Sequence, residues 1–227
     1  MAEISSPRAP RSFVRRRGRV TRGQARALRA GWPHYGLSSD KPLNFSDIFE
    51  RSAPCYVEIG FGMGDALAAL AEGHPEYDYI GIEVHEAGIG RLLSLIAGRS
   101  IGNLRILRGD AAQLLECCFE NASLAGVLLF FPDPWPKKRH LKRRLVQPAF
   151  VEQVARRLAP GGRFQLATDW PDYARQMLEV IEAQGQFRNQ AGAGRFMADR
   201  CGRPRTKFER RGERLGHDTF DLLFERL

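Results

Sequence analysis

Cys55-Tyr-Val-Glu-Ile-Gly-Phe-Gly-Met-Gly-Asp65 is the stretch from which the fold can be read. Cys55–Ile59 has the β-branched and aromatic character of a short strand, and it runs into Gly60, Gly62 and Gly64. Asp65–Gly73, rich in alanine and leucine, then favours helix. A strand that turns into a helix through closely spaced glycines opens a parallel α/β sheet, because the turn lets backbone approach a ligand.

Outward from this unit the pattern repeats. Further strands are expected at 79–83, 104–107, 126–131, 163–168, 187–190 and 219–224, and helices at 87–97, 111–119, 147–158 and 173–184, with Pro160-Gly161-Gly162 stopping the third of these helices. The run 126–131 is continuously apolar, as a strand buried on both faces should be. Strands alternating with helices predict a mostly parallel sheet with helices on both faces and ligands at the strands' carboxyl ends.

Three acids stand at those ends. Glu58 closes the first strand, Glu83 the second, and Asp110 follows the third. The glycines depart from the G-x-G-x-x-G spacing of dinucleotide sites, and Glu58 would repel a pyrophosphate. A sulfonium or amino group would be attracted, which points to S-adenosylmethionine rather than NAD. Glu83 is placed to accept from both ribose hydroxyls, and Asp110 can reach the adenine amino group. Singly, each acid could be a helix cap or a solvated side chain; together, beside the glycine turn, they read as a nucleoside site.

The fourth strand exits into Phe131-Pro-Asp-Pro-Trp-Pro-Lys-Lys-Arg-His-Leu-Lys-Arg-Arg144. Prolines on both sides stiffen the backbone of Asp133, and the exit of the fourth strand is expected to place its carboxylate near the methyl donor. Trp135 can either stack on a base or pack under the loop. The segment 137–144 carries six Lys and Arg, a contact suited to a phosphate backbone.

The 227 residues suit one α/β domain with a basic extension. The chain has 35 Lys and Arg against 26 Asp and Glu, and the whole excess is matched by nine arginines between Arg8 and Arg29. Residues 1–34 are expected to be a basic, partly flexible arm seeking phosphates, and residues 35–227 the domain. No apolar run approaches the ~18 residues of a membrane span, and no secretory h-region follows the arm. Cys55, Cys117, Cys118 and Cys201 lack metal-ligand spacing and read as reduced residues of a cytoplasmic protein that holds no metal.

Glu58-Ile-Gly-Phe-Gly-Met-Gly64, Gly81-Ile-Glu-Val-His85, Phe130-Phe-Pro-Asp-Pro-Trp-Pro-Lys-Lys-Arg-His140, Ala167-Thr-Asp-Trp170 and Thr206-Lys-Phe-Glu209 resemble the ordered motifs of the tRNA (guanine-N7) methyltransferase family. The likeness runs from about Ser12 to the C-terminus, and Phe-Pro-Asp-Pro-Trp and Thr-Lys-Phe-Glu are its most selective pieces. It implies a class I methyltransferase fold of seven strands with the last antiparallel. The implied reaction is methyl transfer from S-adenosylmethionine to N7 of guanosine 46 in the tRNA variable loop. By motif, Glu58, Gly60, Glu83, Asp110 and Asp133 lie on the cofactor side, with Asp133 also catalytic. Lys137, Asp169, Thr206, Lys207, Phe208 and Glu209 would hold the guanosine. Arg139, His140, Leu141, Lys142, Arg143 and Arg144 would contact RNA. Such enzymes occur as monomers and as homodimers, and both stay open. A DNA amino-methyltransferase would need a second proline where Trp135 stands, and the intact acids disfavour an RNA-binding protein with a vestigial methyltransferase fold.

Overall fold

A computed structural model describes residues 19–206, 209, 210, 212, 216 and 218–227. The described residues form a seven-stranded sheet of order β3-β2-β1-β4-β5-β7-β6. Its strands are β1 (Cys55–Ile59), β2 (Asp78–Glu83), β3 (Leu104–Arg108), β4 (Leu124–Phe130), β5 (Leu158–Thr168), β6 (Phe187–Asn189) and β7 (Phe220–Arg226). β1 to β5 run parallel, and β7 lies antiparallel between β5 and β6. The order reverses between β1 and β4, which opens a crevice beyond their carboxyl ends.

Helices cover both faces, as the alternation of elements requires. α5 (Ala111–Cys118), α6 (Pro148–Arg157) and α7 (Pro171–Glu182) bury Leu115, Val154 and Met177 against Val57, Leu129 and Phe164. On the other face α3 (Asp65–Gly73) and α4 (Glu86–Arg99) bury Leu67, Ile89 and Leu92 against Tyr79 and Ile106. Every residue of β2 is buried, which is why the central strands lack polar alternation.

Three local features differ from the expectations. α6 ends at Arg157, because Leu158 already pairs with Leu124; the register then shifts, so β5 begins five residues before the predicted strand. A short helix, α2 (Phe45–Phe49), follows the expected loop, and Phe45 packs on Phe119. Residues 22–34, expected in the arm, lie in α1 (Arg22–Tyr35), which starts at a capping box between Thr21 and Gln24. α1 rests on α4 through small residues: a Cβ on Gly90 would come within 2.7 Å of the Gln24 carbonyl oxygen, and one on Gly31 within 3.0 Å of Leu93. Residues 1–18 of the expected arm lie outside the described residues.

The segment between β6 and β7 is anchored by Arg203, whose side chain is fully buried. Its Nε and Nη2 donate to the two oxygens of Asp221 on β7. Nη1 and Nη2 donate to Glu209 Oε2 and Oε1 at 2.8 and 3.1 Å. The guanidinium also lies 5.4 Å from the Phe131 ring centroid, at the exit of β4. Gln165 on β5 donates to the carbonyl of Arg200 at 2.9 Å. One cation therefore joins the segment to the edge where β4 and β5 end.

Burial alone would raise the Glu209 carboxyl, but hydrogen bonds from Arg203 and Arg200 outweigh it and hold the group down at about 2. Arg203→Met should strand two buried carboxylates and cost about 3–5 kcal/mol, read as a lower urea midpoint at pH 7. The Glu209 contribution is fully present above the ordinary carboxyl value of 4.5 and is lost as pH falls toward about 2. The stability gap between parent and Arg203→Met should therefore narrow across that window, and a gap that stays constant would assign the clamp no ionic role.

Candidate active site at the carboxyl edge of the sheet

Gly60, Gly62 and Gly64 have φ of 69°, 57° and 75°, values that side-chain-bearing residues avoid. A Cβ on Gly64 would strike Leu92 at 2.8 Å, whereas Cβ atoms on Gly60 and Gly62 would meet nothing within 4 Å. The outer face of the turn thus borders open space where ligand atoms can lie. Its inner face touches α4, since a Cβ on Gly88 would sit 2.0 Å from the Gly62 carbonyl oxygen.

Glu83 braces this turn. Its Oε2 accepts from the Gly62 amide at 3.0 Å, and its Oε1 from the amides of Val84 and His85 at 2.7 and 3.0 Å. Sequence reasoning placed Glu83 as a ribose acceptor only. Three of a carboxylate's roughly four lone-pair directions serve the chain itself, so a two-hydroxyl contact must share them.

Glu58 is 3% exposed, and its Oε2 is buried without a hydrogen-bond partner. Burial, followed by the nearby charge of Glu83, pushes its carboxyl up to about 8. A buried acceptor that lacks a donor is costly, and an ammonium or sulfonium beside it would supply the missing partner and draw out the charged form. Asp110 caps α5, with Oδ1 accepting from the Ala112 amide at 3.0 Å, which engages one of its two oxygens.

Beyond β4 the backbone is strained. Phe131 and Trp135 have φ of 52° and 43°, in the left-handed region, each at a cost of roughly 1–2 kcal/mol. Both precede prolines, which steer a residue toward extended backbone instead. The Phe131 amide donates to the Ala167 carbonyl at 2.8 Å. Asp133 is exposed between the two strained residues. Trp135 packs within the loop, its ring 4.9 Å from the Arg143 guanidinium and edge-on to His140. Lys138–Arg143 is a 3-10 helix on which Arg139, Leu141 and Lys142 are exposed.

Glu58, Gly60, Glu83, Asp110, Asp133, Lys137 and Asp169 all end or follow β1 to β5 at the carboxyl edge, as expected. Two placements differ. Arg144 is 4% exposed and turns inward, its Nε on the Pro134 carbonyl at 2.8 Å, so it does not face RNA. Thr206 and Glu209 form a capping box: Thr206 Oγ1 accepts the Glu209 amide at 3.1 Å, and Glu209 Oε2 accepts the Thr206 amide at 3.3 Å. Arg203 and Arg200 also donate to Glu209, so its carboxylate is already engaged by the fold. Lys207 and Phe208 lie outside the described residues. Arg203 was missed, since no local pattern marks an arginine whose partners lie six and eighteen residues away.

Residues 52–222 match the family described as "Putative methyltransferase". The tRNA (guanine-N(7)-)-methyltransferases of Alkalilimnicola ehrlichii and Pseudomonas aeruginosa are each 52% identical, over 99% of this chain and 96% and 93% of theirs. That of Hydrogenovibrio crunogenus is 50% identical, over 96% of this chain and 91% of its own. Among solved structures, the 16S rRNA methyltransferase KamB aligns with a TM-score of 0.59 at 16% identity, over 80% of this chain and 92% of that one. An rRNA methylase from Streptococcus thermophilus aligns at 0.52 and 16% identity, over 84% and 99%. These distant likenesses speak for the class I methyltransferase fold alone. Identity near one half along almost the whole chain goes further: the protein belongs to the tRNA (guanine-N7) methyltransferase family.

Proposed function

We propose that this protein transfers the methyl group of S-adenosylmethionine to N7 of guanosine 46 in the variable loop of tRNA, in the cytoplasm. The observation that carries the cofactor reading is the unpartnered, buried Glu58 oxygen beside a glycine turn whose outer face is open. When bound, S-adenosylmethionine supplies an electrophilic methyl group on a sulfonium. Glu58 receives a cationic group of the cofactor, Glu83 accepts from the ribose, and the free side of Asp110 accepts from the adenine amino group.

Guanine N7 has an in-plane lone pair and no proton, so the transfer needs no general base. Asp133 therefore serves another end. Its carboxylate accepts from guanine N1–H and the exocyclic amine, which orients the base and stabilises the positive charge that grows on the purine. Lys137, Asp169 and the Thr206-Lys-Phe-Glu209 motif are the residues proposed to hold the guanosine. Arg139, His140, Leu141, Lys142 and Arg143 face the RNA, as does α1, whose Arg22, Arg26 and Arg29 are exposed on a helix with no acid. Arg22 in the first turn opposes the helix dipole, and a polyanion lying along the three arginines would remove that penalty and their mutual repulsion. Among the described residues, no helix is long and apolar enough to cross a membrane.

The reading as a whole is tested by nucleoside analysis and mapping of unmodified tRNA after incubation with the protein and S-adenosylmethionine. It requires 7-methylguanosine at position 46; methylation of an exocyclic amine or of DNA would overturn it. Asp133→Asn sets an amide NH₂ against guanine's donors and removes the charge. Single-turnover rates at saturating cofactor and tRNA should fall roughly ten- to a thousandfold, for ~1.5–4 kcal/mol lost in a dry site, and a near-parental rate would end the proposed role. For RNA, replacing Arg139 and Lys142 together by Gln should flatten the slope of log affinity against log salt by roughly 1.5–2 with cofactor affinity unchanged. An unaltered slope would take the 137–143 segment out of the interface.

A further inference from the structure

The backbone of the Asp133 loop is costly to hold. Each of residues 131–136 is a proline or precedes one, and the two aromatic residues flanking Pro132-Asp133-Pro134 lie in the left-handed region. Such a conformation persists only where the surroundings over-determine it. On the upstream side the sheet does this, through the Phe131 amide on Ala167 and the Arg203 guanidinium on the Phe131 ring. The downstream side has left the sheet and needs another anchor.

Arg144 is placed there. Its Nε donates to the Pro134 carbonyl at 2.8 Å, and its Nη1 to Gln176 Oε1 on α7 at 2.6 Å. The guanidinium lies 4.7 Å from the Tyr173 ring centroid. Both α7 residues are themselves fixed: the Tyr173 hydroxyl accepts from the Val146 amide at 3.2 Å, and Gln176 Nε2 donates to the Val146 carbonyl at 3.1 Å. Among the described residues, Arg144 is thus a buried cation that donates to a carbonyl and an amide oxygen and lies over a ring, with no carboxylate hydrogen-bonded to it. Burial of this kind is unfavourable for the charge and pushes its pKa down. A lysine could neutralise an acid or meet a phosphate equally well. Only a rigid planar fork spans the Pro134 carbonyl and the Gln176 amide in fixed directions.

We propose that Arg144 is a positioning residue for Asp133: by tying the Pro134 carbonyl to Gln176 and Tyr173 of α7, it sets the direction in which the Asp133 carboxylate points. This rests on the role of Asp133 given above. It moves Arg144 from the RNA surface, where its basic neighbours place it, into the machinery that shapes the site.

A double-mutant cycle on single-turnover methylation, run at saturating S-adenosylmethionine and tRNA, tests it. Arg144→Lys should slow the reaction at least tenfold while cofactor and tRNA dissociation constants stay within twofold. In an Asp133→Asn background the same substitution should slow it less than threefold further, since there is no carboxylate left to aim. A parental rate for Arg144→Lys overturns the proposal, as does a full tenfold loss in both backgrounds. Should Arg144→Lys fail to fold, Gln176 decides: Gln176→Glu keeps the acceptor for Arg144 while both it and Gln176→Leu lose the donor to the Val146 carbonyl, so Gln176→Leu should react at least tenfold more slowly than Gln176→Glu. Equal rates for these two variants would also overturn it. A near-parental Asp133→Asn beside a slow Arg144→Lys would separate the failures, removing Asp133 from the chemistry and showing Arg144 to act elsewhere.

Discussion

A carboxylate that accepts three backbone amides fixes the geometry around which the site is built. Glu83 reaches from the end of β2 to Gly62, Val84 and His85, and in doing so joins the ends of β1 and β2 to the start of α4. Phe61 anchors the glycine turn in the core, but its three positive-φ glycines have no side chains of their own and could wander in isolation. The brace gives it one conformation, with the open faces of Gly60 and Gly62 turned outward. Gly88 completes the fit by leaving room on α4 for the Gly62 carbonyl. Pre-organisation of this kind is what a small-ligand site at a sheet edge requires.

The same edge is completed by arginines that never meet solvent. Arg203 reconciles Asp221 and Glu209, which would otherwise repel each other in a buried space, and rests on the aromatic residues at the exit of β4. Arg144 holds the far side of the Pro-Asp-Pro loop through neutral oxygen acceptors. The two differ in kind. The first is a buried ion cluster, in which removing the cation leaves uncompensated charge; the second is a hydrogen-bonding fork that spends its charge on geometry. Between them the chain carries a loop with two left-handed aromatic residues, and the exposed Asp133 at its centre inherits its direction from both.

Basic residues near a catalytic mouth are easily read as one surface, but here they divide. Arg139 and Lys142 are exposed on the 3-10 helix, Arg143 covers Trp135, and Arg144 is buried. A tight helical turn distributes consecutive side chains around its axis, so a run of six cations cannot all face one partner. α1 shows the converse. Its arginines at positions 22, 26 and 29 share one side at helical spacing, while Ala27, Leu28 and Trp32 pack against the core.

The sequence by itself determined the order of elements, the class of sheet and the edge at which the acids gather. Period, apolar runs and glycine spacing are local properties, and β1 and α3 fall where those properties put them. The sequence could not decide what each acid or arginine touches. Glu58 Oε2 lacks a partner among the described residues; Glu83 gains a third amide, beyond its neighbours Val84 and His85, because Gly62 comes within reach across the sheet. Thr206-Lys-Phe-Glu209 does not reveal in the sequence that Arg203 and a capping box also engage Glu209. The early start of β5 came from Leu158 finding Leu124 on a neighbouring strand. The decisive pairings among these, Gly62 with Glu83, Arg203 with Asp221 and Leu158 with Leu124, are long-range, chosen by burial and by the need to satisfy polar groups once water is gone, and that choice exists only after the chain has closed on itself.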